Sequence, residues 1–437
     1  MVIGSRRALL LLFTGSLLAA AAPAHAQLPK LTLAEAIERA NRVQPGVVQA
    51  FGTVRNAQAR QRSATGAFLP SLSLNLTGAN NFSEGQQLDP STGQFTTSGT
   101  STSSVATSVS SNIDLFTGFR RTSEKKAAGA NRTAAEASLL NTRNNQTLTT
   151  TNQFYDVLAA EQLVGVREAS VRRAEEQLKV AVALLHAGKG IRPDSLRSLV
   201  TLGTAQLNLL NAQTALATAE ANLGRLVGEA GPVGAVDDSS LYAMIPVIDT
   251  AQLRTEAMAQ APSVKAAEAT AASAHAGIGV AKAAYFPTLN LSGNLALNGS
   301  SRNSYTFLQS RQFGLGLSWP IFNRFQREQS IVSSQVSAET ADASAAEARR
   351  QVLASFIADI AALDAARLRI DITRTNVQAA TEDLRVQQER YRLGAGTIVD
   401  VLTSQEALNQ AEVDAVNARF DYVRARAAIS ALIGRPL

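Results

Sequence analysis

The chain has 437 residues and a net charge of +6, from 41 Lys and Arg against 35 Asp and Glu. These charges are scattered rather than clustered along a surface that could track phosphates, so no nucleic-acid partner is expected. Cys is absent, His occurs three times and aromatics make up 5% of the residues, which excludes thiol chemistry and disulfides and leaves little for catalysis. We therefore predict no enzymatic activity, no cofactor and no metal site.

The first 26 residues have the pattern of a secretory signal peptide. Arg6 and Arg7 precede an apolar stretch at 8–22, and residues 24–26 (Ala-His-Ala) form a small-x-small cleavage site. The apolar stretch is shorter than the roughly 20 residues that a membrane-spanning helix needs. Export with removal of residues 1–26 is therefore favoured over a membrane anchor.

The remainder is predicted to be a tandem repeat. Residues 67–74 (AFLPSLSL) match 284–291 (AYFPTLNL) at an offset of 217, whereas residues 188–190 match 394–396 at an offset of 206. The 11-residue change falls in the Ser-, Thr-, Gly- and Asn-rich segment 78–104, which we predict to be a surface loop.

Each half is predicted to contain a helix, a strand pair, a very long helix, a tight turn and a last helix. In the first half, 27–228, the strand pair covers about 70–116, the long helix about 119–185, the turn 187–192 and the last helix 194–227. A linker at 229–248 leads to the second half, 249–437, with a strand pair at about 287–320, a long helix at about 324–393, a turn at 393–397 and a helix at 398–433. Residues 321–393 lack Gly and Pro, so this helix would be roughly 105 Å long.

The strand pairs alternate between aliphatic and small polar residues. Leu72, Leu74 and Leu76 alternate with Ser and Asn, and the second half repeats this pattern from Leu289. Two amphipathic hairpins on a soluble core would also alternate, but an aliphatic face opposite Ser, Asn and Gly is what a barrel between lipid and water requires. Four strands cannot close a membrane barrel, so several chains must contribute to one barrel.

Three features of the sequence carry a family resemblance. They are residues 390–402 (RYRLGAGTIVDVL), the strand-entry motifs around Pro70 and Pro287, and the Leu-Val-Gly and Leu-Ile-Gly that close the two halves. With these features the chain resembles the TolC family of outer-membrane efflux and type I secretion channels. The resemblance implies an α+β, mainly α fold and a homotrimer. Four strands per chain would form one 12-stranded β-barrel in the outer membrane of a Gram-negative bacterium, surrounded by lipid and continued by a long α-helical periplasmic barrel.

The same resemblance implies partners and functional positions. The partners would be a periplasmic adaptor (membrane fusion protein) and an inner-membrane transporter of RND, ABC or MFS type. Asp194, Tyr391 and Asp400 match positions that line or lock the periplasmic entrance. The tips that would contact the adaptor are Gly188, Lys189, Gly190, Gly394, Ala395, Gly396 and Thr397.

From the residues alone, these positions have simpler explanations. The four glycines of the turns are expected to supply the positive φ angles of a chain reversal. Asp194 and Asp400 could each be an ordinary acid at a helix N-terminus. The chain also departs from the family pattern, with Gly396 in place of a locking Arg and Thr403 in place of a further acid. Either the lock is looser or another residue supplies it, and the candidates for that role are Arg192 and Arg392.

Two functions remain open at this point. The favoured one is an outer-membrane exit duct of a tripartite efflux pump or type I secretion system, which passively conducts what a transporter and adaptor deliver. The alternative is a soluble periplasmic coiled-coil structural or adaptor protein. The paired alternating hairpins favour the duct, because an adaptor has no need for a leucine face at the same place in both halves.

Overall fold

The computed structural model describes residues 28–238, 242 and 249–435. The predicted signal peptide, 1–26, lies outside them, as do residues 239–241 and 243–248 of the predicted linker. Within the described ranges, no helix combines the length and the apolar character that crossing a bilayer requires.

The elements follow one another in an order that is nearly the same in the two halves. They are β1 (Lys30–Leu31), α1 (Leu33–Val43), α2 (Pro45–Gly66), β2 (Ser71–Leu88), β3 (Phe95–Phe116), α3 (Arg120–His186), α4 (Arg192–Val227), β4 (Gly234–Ala235), α5 (Thr250–Gln260), α6 (Pro262–Lys282), β5 (Thr288–Ser300), β6 (Leu308–Ser318), α7 (Gln326–Arg392) and α8 (Ile398–Ile433). Strand β4, which lies within the predicted linker, pairs in parallel with β1.

Four long helices form about half of the described chain. Helices α3 and α7 have 67 residues each, and α4 and α8 have 36 each, so the longer pair spans roughly 100 Å. Side by side they run in the order α4, α3, α8, α7. Because each helix buries only a narrow stripe, the main apolar core is a thin layer between them, with Phe154, Leu158, Leu223, Phe420 and Ile429 at its centre.

The other four strands form one antiparallel sheet in the order β2, β3, β5, β6. The register places aliphatic residues on one face, for example in the row Leu74, Val109, Leu295, which ends at Arg311. The row beside it lies on the other face and is polar throughout, from Ser73 and Ser110 to Asn294 and Gln312. The predicted separation of an aliphatic face from a polar face is thus confirmed.

The prediction of a surface loop at 78–104 is wrong. Strands β2 and β3 pair without interruption from Ser71 and Asn112 to Leu88 and Phe95, so the extra residues lengthen the first hairpin instead. The Ser and Thr side chains support this pairing across the strands, as in the 3.0 Å bond from Ser101 Oγ to Asn80 Oδ1. The chain reverses only at 89–94.

Candidate functional site

Two tight turns lie at the same end of the long helices. One joins α3 to α4 and the other joins α7 to α8, and both begin at a glycine in the left-handed region, Gly188 with φ 67° and Gly394 with φ 75°. The backbone of each turn then bonds back into the preceding helix, from Lys189 N to Leu184 O at 2.9 Å and from Ala395 N to Arg390 O at 2.8 Å. Only glycine adopts this conformation cheaply, so these two positions are fixed by the reversal itself.

Gly190 and Gly396 do not have the positive φ that the sequence predicted for them. Glycine fits there for a different reason, which is close packing against the end of the preceding helix. A Cβ atom on Gly190 would lie 3.1 Å from the Leu184 Cβ, and one on Gly396 would lie 3.1 Å from the Arg390 Cβ. Each turn therefore combines one conformational glycine with one packing glycine.

Tyr391 and Asp194 are brought together although they are 197 positions apart in the chain. The Tyr391 hydroxyl donates a hydrogen bond of 3.3 Å to Asp194 Oδ2, which links the end of α7 to the first turn of α4. The tyrosine ring is 7% exposed and packs in an apolar cluster with Leu384, Ile398 and Val401. This cluster holds the ring so that its hydroxyl reaches the carboxylate of the other turn.

The surroundings of Tyr391 keep its hydroxyl protonated. Burial, together with the negative charge of Asp194 and the hydrogen bond to it, raises the pKa of Tyr391 to about 12. The hydroxyl is therefore a donor at every physiological pH. Asp194 lies at the N-terminus of α4, where the helix dipole favours a negative charge.

Asp400 lies at the corresponding place in α8 but has different contacts. Its Oδ2 accepts hydrogen bonds from Thr397 N at 3.0 Å and from Thr397 Oγ1 at 2.8 Å, while Asp400 N donates to Thr397 Oγ1 at 3.2 Å. These reciprocal bonds form a capping box at the start of α8. They also hold the pKa of Asp400 below its usual range, since they favour the charged carboxylate.

The two arginines that the sequence offered as alternative locks have ordinary placements. Arg392 lies 3.6 Å from Glu389 on its own helix, in an exposed pair of the kind that contributes little to stability. Arg192 is the first residue of α4. Arg390 was not predicted to act, yet it donates to Ala395 O at 3.3 Å and so closes the second turn.

A polar contact above the turns was also missed. Arg173 of α3 donates to Glu412 Oε1 and Oε2 of α8, at 3.1 and 2.6 Å, and to Asn409 Oδ1 at 2.8 Å. A fork-shaped contact to a carboxylate is directional as well as strong. No local sequence signal predicts it, because the partners belong to different halves and charged residues recur along all of these helices.

The predicted tip residues are accessible to a partner. Gly188, Lys189, Gly394, Ala395 and Thr397 are exposed, and the two packing glycines beside them are half-buried. In the part of the chain that the structure describes, no group of three or more His, Asp or Glu is arranged to hold a metal ion. His275 instead lies 2.9 Å from Asp342 of the neighbouring long helix.

Comparison with known proteins identifies a family. The model of the family described as outer membrane efflux protein matches residues 36–229 and 253–435. The pyoverdine export outer membrane protein OpmQ of Pseudomonas aeruginosa is 28% identical over 408 residues, which cover 88% of this chain and 81% of that protein. The outer membrane efflux protein BepC of Brucella suis is 25% identical over 361 residues, covering 82% and 76%.

Solved structures agree on the fold. The outer membrane protein VceC from Vibrio cholerae superimposes with a TM-score of 0.76 at 18% identity, covering 92% of this chain and 96% of that one. At this identity the likeness concerns the fold. It covers nearly the whole of each chain.

Proposed function

The chain belongs to the outer membrane efflux protein family, and we propose that three copies of it form the exit duct of a tripartite efflux pump or a type I secretion system. The protein is an outer-membrane efflux channel with a TolC-like fold. In this proposal the trimer conducts passively what an inner-membrane transporter and a periplasmic adaptor deliver to it.

The observation that supports the trimer is that, among the described residues, both the sheet and the helical layer end in edges without a neighbour. Strands β2 and β6 are the outer strands of the sheet, and α4 and α7 are the outer helices of the helical layer. An unpaired strand edge cannot remain in lipid, where no water satisfies its N–H and C=O groups. Pairing β6 of one copy with β2 of the next, around a ring of three, would close twelve strands.

The outer helices carry exposed apolar stripes whose heights above the turns overlap. On α4 the exposed stripe consists of Leu196, Leu199, Val200, Leu207 and Leu210, and on α7 it consists of Ile357, Leu368, Ile372 and Val386. The chain runs away from its turn along α4 and towards its turn along α7, so the two helices are antiparallel. Leu210 lies roughly 27 Å above its turn and Ile372 roughly 30 Å above the other, which supports packing of α4 against α7 of a second copy.

The sheet supports a membrane location. Leu72, Leu74 and Leu76 are all more than 70% exposed on the aliphatic face, and on the same face Leu315 of the opposite edge strand is 67% exposed. A soluble periplasmic adaptor would leave this surface in water, whereas lipid would cover it. Heat-modifiable oligomers in the outer-membrane fraction are the expected result, and release with the soluble periplasm would contradict the proposal.

Cross-linking tests the packing of α4 on α7. The chain has no native Cys, so the pair Leu210→Cys and Ile372→Cys reports one contact. Because α3 and α8 separate α4 from α7 within a chain, a disulfide there joins two copies, and oxidation should give covalent dimers and trimers. The matched control combines Leu210→Cys with Arg374→Cys. Residue 374 lies on the opposite face of α7 from Ile372, so no disulfide is expected there. Monomers alone in the first variant would contradict the trimer.

The turns form the periplasmic entrance in this proposal, and the Tyr391–Asp194 bond helps to hold it narrow. A trimer would present Asp194 and Asp400 three times each, and a constriction lined by acids favours cations. Planar-bilayer recordings of Asp194→Ala combined with Asp400→Ala should show reduced cation selectivity. Unchanged reversal potentials would rule out the acidic entrance.

The exposed tips are the proposed adaptor contact. The surface that a partner meets first consists of Gly188, Lys189, Gly190, Gly394, Ala395, Gly396 and Thr397. An Ala395→Trp substitution should block export by the assembled pump while leaving the conductance of the isolated channel unchanged, since the new side chain adds bulk at an exposed position and the two bonds of residue 395 to Arg390 use only its backbone N and O. Normal export would contradict the contact. Copurification with the cognate RND, ABC or MFS transporter would then identify the system.

A further inference from the structure

Two equivalent arginines lie where the strands pass into the long helices. Arg121 is the second residue of α3 and Arg327 the second of α7, and the two are one repeat offset of 206 apart. Arg121 donates to Ala67 O at 3.0 Å and to Leu115 O at 3.4 Å. Arg327 donates to Pro320 O at 2.9 Å and to Ile321 O at 3.0 Å. Each guanidinium thus ties the start of a long helix to the backbone at the end of its strand pair.

An aromatic ring completes each contact. The guanidinium of Arg121 lies 4.8 Å from the centre of the Phe68 ring, and that of Arg327 lies 4.7 Å from the Tyr285 ring. Both rings belong to the segment that enters the strand pair, at matching positions of the two halves. Each arginine therefore joins the entry into a strand pair, the exit from it and the helix that follows.

These arginines are not placed for an ion pair. Arg121 is 8% exposed, and in the described part of the chain no carboxylate lies within ion-pair distance of either guanidinium. The Nε atom of each is buried without a hydrogen-bond partner. Arg121 is a buried charge held by carbonyls and a ring, and Arg327 is half-buried in the same arrangement. Such a contact is expensive, and it suits a role in specifying geometry better than one in adding stability.

The backbone is strained at the same two places. Phe119 and Phe325, the residues just before α3 and α7, have φ of 69° and 61°, in the left-handed region that bulky residues avoid. The two junctions also touch each other. A Cβ atom on Gly118 would lie 2.5 Å from Ala283 O, next to the second junction. Strain of this kind persists only where surrounding contacts hold it.

We propose that Arg121 and Arg327 are positioning residues that fix the angle at which each strand pair continues into its long helix. This inference goes beyond the proposed function, because it concerns a bend within one chain. The planar fork of arginine binds two carbonyls and lies flat on a ring at once, whereas lysine offers a single point of charge. Lysine at either position should therefore keep the charge but allow the angle between the strand pair and the long helix to vary.

Distances between spin labels across each junction test the proposal directly. Labels at Asn112→Cys and Asn131→Cys flank the first junction on exposed sites of β3 and α3, and Ser318→Cys and Ser337→Cys are the equivalent sites at the second. The full-length assembled protein is used, diluted with unlabelled protein so that one copy per assembly carries the pair. Arg121→Lys and Arg327→Lys should each at least double the width of the distance distribution at their own junction.

The controls separate positioning from stability. Arg120→Lys and Arg350→Lys alter exposed arginines that pair with Glu124 and Glu347 on their own helices, and they should leave the widths unchanged. Where a lysine variant fails to assemble, Phe68→Leu, which removes the ring and keeps the carbonyl bonds, should still widen the first distribution. A lower melting temperature with unchanged widths, in the lysine variants or in Phe68→Leu, would overturn the proposal.

Discussion

The two turns at the ends of the long helices have the same backbone plan but use their acids differently. At the α3–α4 turn the residue before the helix is Ile191, which cannot cap, and Asp194 accepts a bond from Tyr391. At the α7–α8 turn the equivalent residue is Thr397, which caps α8 together with Asp400. The acid three residues after the capping position thus binds another helix at the first turn and its own helix at the second.

The largest expected effect comes from the apolar cluster around Tyr391, of which Ile398 at the second turn is a buried member. Ile398 is 1% exposed within it, so Ile398→Ala should cost about 2–5 kcal/mol, because it removes buried methyl groups and leaves a cavity beneath Tyr391. Ile191 at the first turn is 60% exposed. Denaturant titration should therefore show little change for Ile191→Ala, and equal losses in the two variants would contradict the comparison.

Removing the bond between the turns comes next. Tyr391→Phe keeps the ring in its cluster but deletes the donor to a charged acceptor, a bond worth about 1.5–3 kcal/mol when fully buried and less here, because Asp194 is partly exposed. We expect a higher basal conductance in planar bilayers and greater antibiotic sensitivity of cells. Tyr305→Phe, at an exposed site in the second hairpin, is the control. Wild-type conductance in Tyr391→Phe would rule out a closing role.

A third variant removes the cap at the second turn. Thr397→Ala should destabilise the start of α8 by about 1 kcal/mol, because it deletes the side-chain oxygen that accepts from Asp400 N. The channel should conduct as before, since the Tyr391–Asp194 bond is untouched. Hydrogen exchange at the first turn of α8 measures the loss. A rise in conductance as large as that of Tyr391→Phe would show that Asp400 also takes part in closing.

The converse variant gives the first turn the cap of the second. Ile191→Thr creates the Thr-x-x-Asp pattern and should draw Asp194 towards its own helix N-terminus, gaining about 0.5–1 kcal/mol of cap while weakening the bond to Tyr391. Conductance should rise part of the way to that of Tyr391→Phe. Ile191→Val, which is β-branched without a hydroxyl, should leave conductance unchanged. Identical recordings from the two variants would refute the proposed exchange of roles.

The bond from Tyr391 and the cap at Asp400 should also be lost at opposite ends of the pH scale, and neither should change near neutral pH. The pKa of Tyr391 is raised to about 12, so its contribution is complete below about pH 10 and is lost as the pH rises through 12. The pKa of Asp400 is lowered, so the cap contributes above about pH 4 and is lost as the pH falls further. Tyrosinate absorbance, with Tyr391→Phe as the reference, measures the ionisation of Tyr391. Hydrogen exchange at the start of α8 in acid measures the loss of the cap.

The sequence by itself determined the fold class and the separation of the sheet into two faces. Local signals carry both: helix-forming residues without Gly or Pro continue a helix, and alternation of period two assigns strand faces. It also located the two reversals, because Gly188 and Gly394 mark positive φ. Composition misled at 78–104, where Ser and Thr suggested a loop but pair across strands.

Only the tertiary structure decided which residues meet. The bond from Tyr391 to Asp194, the Arg173 contact with Glu412 and the junction arginines all join segments far apart in the chain. A repeat offset shows that Asp194 and Asp400 are equivalent, but it carries no information about their partners. The packing of the two halves supplies those partners: it brings Tyr391 within reach of the uncapped acid, while Thr397 holds the other acid within its own helix.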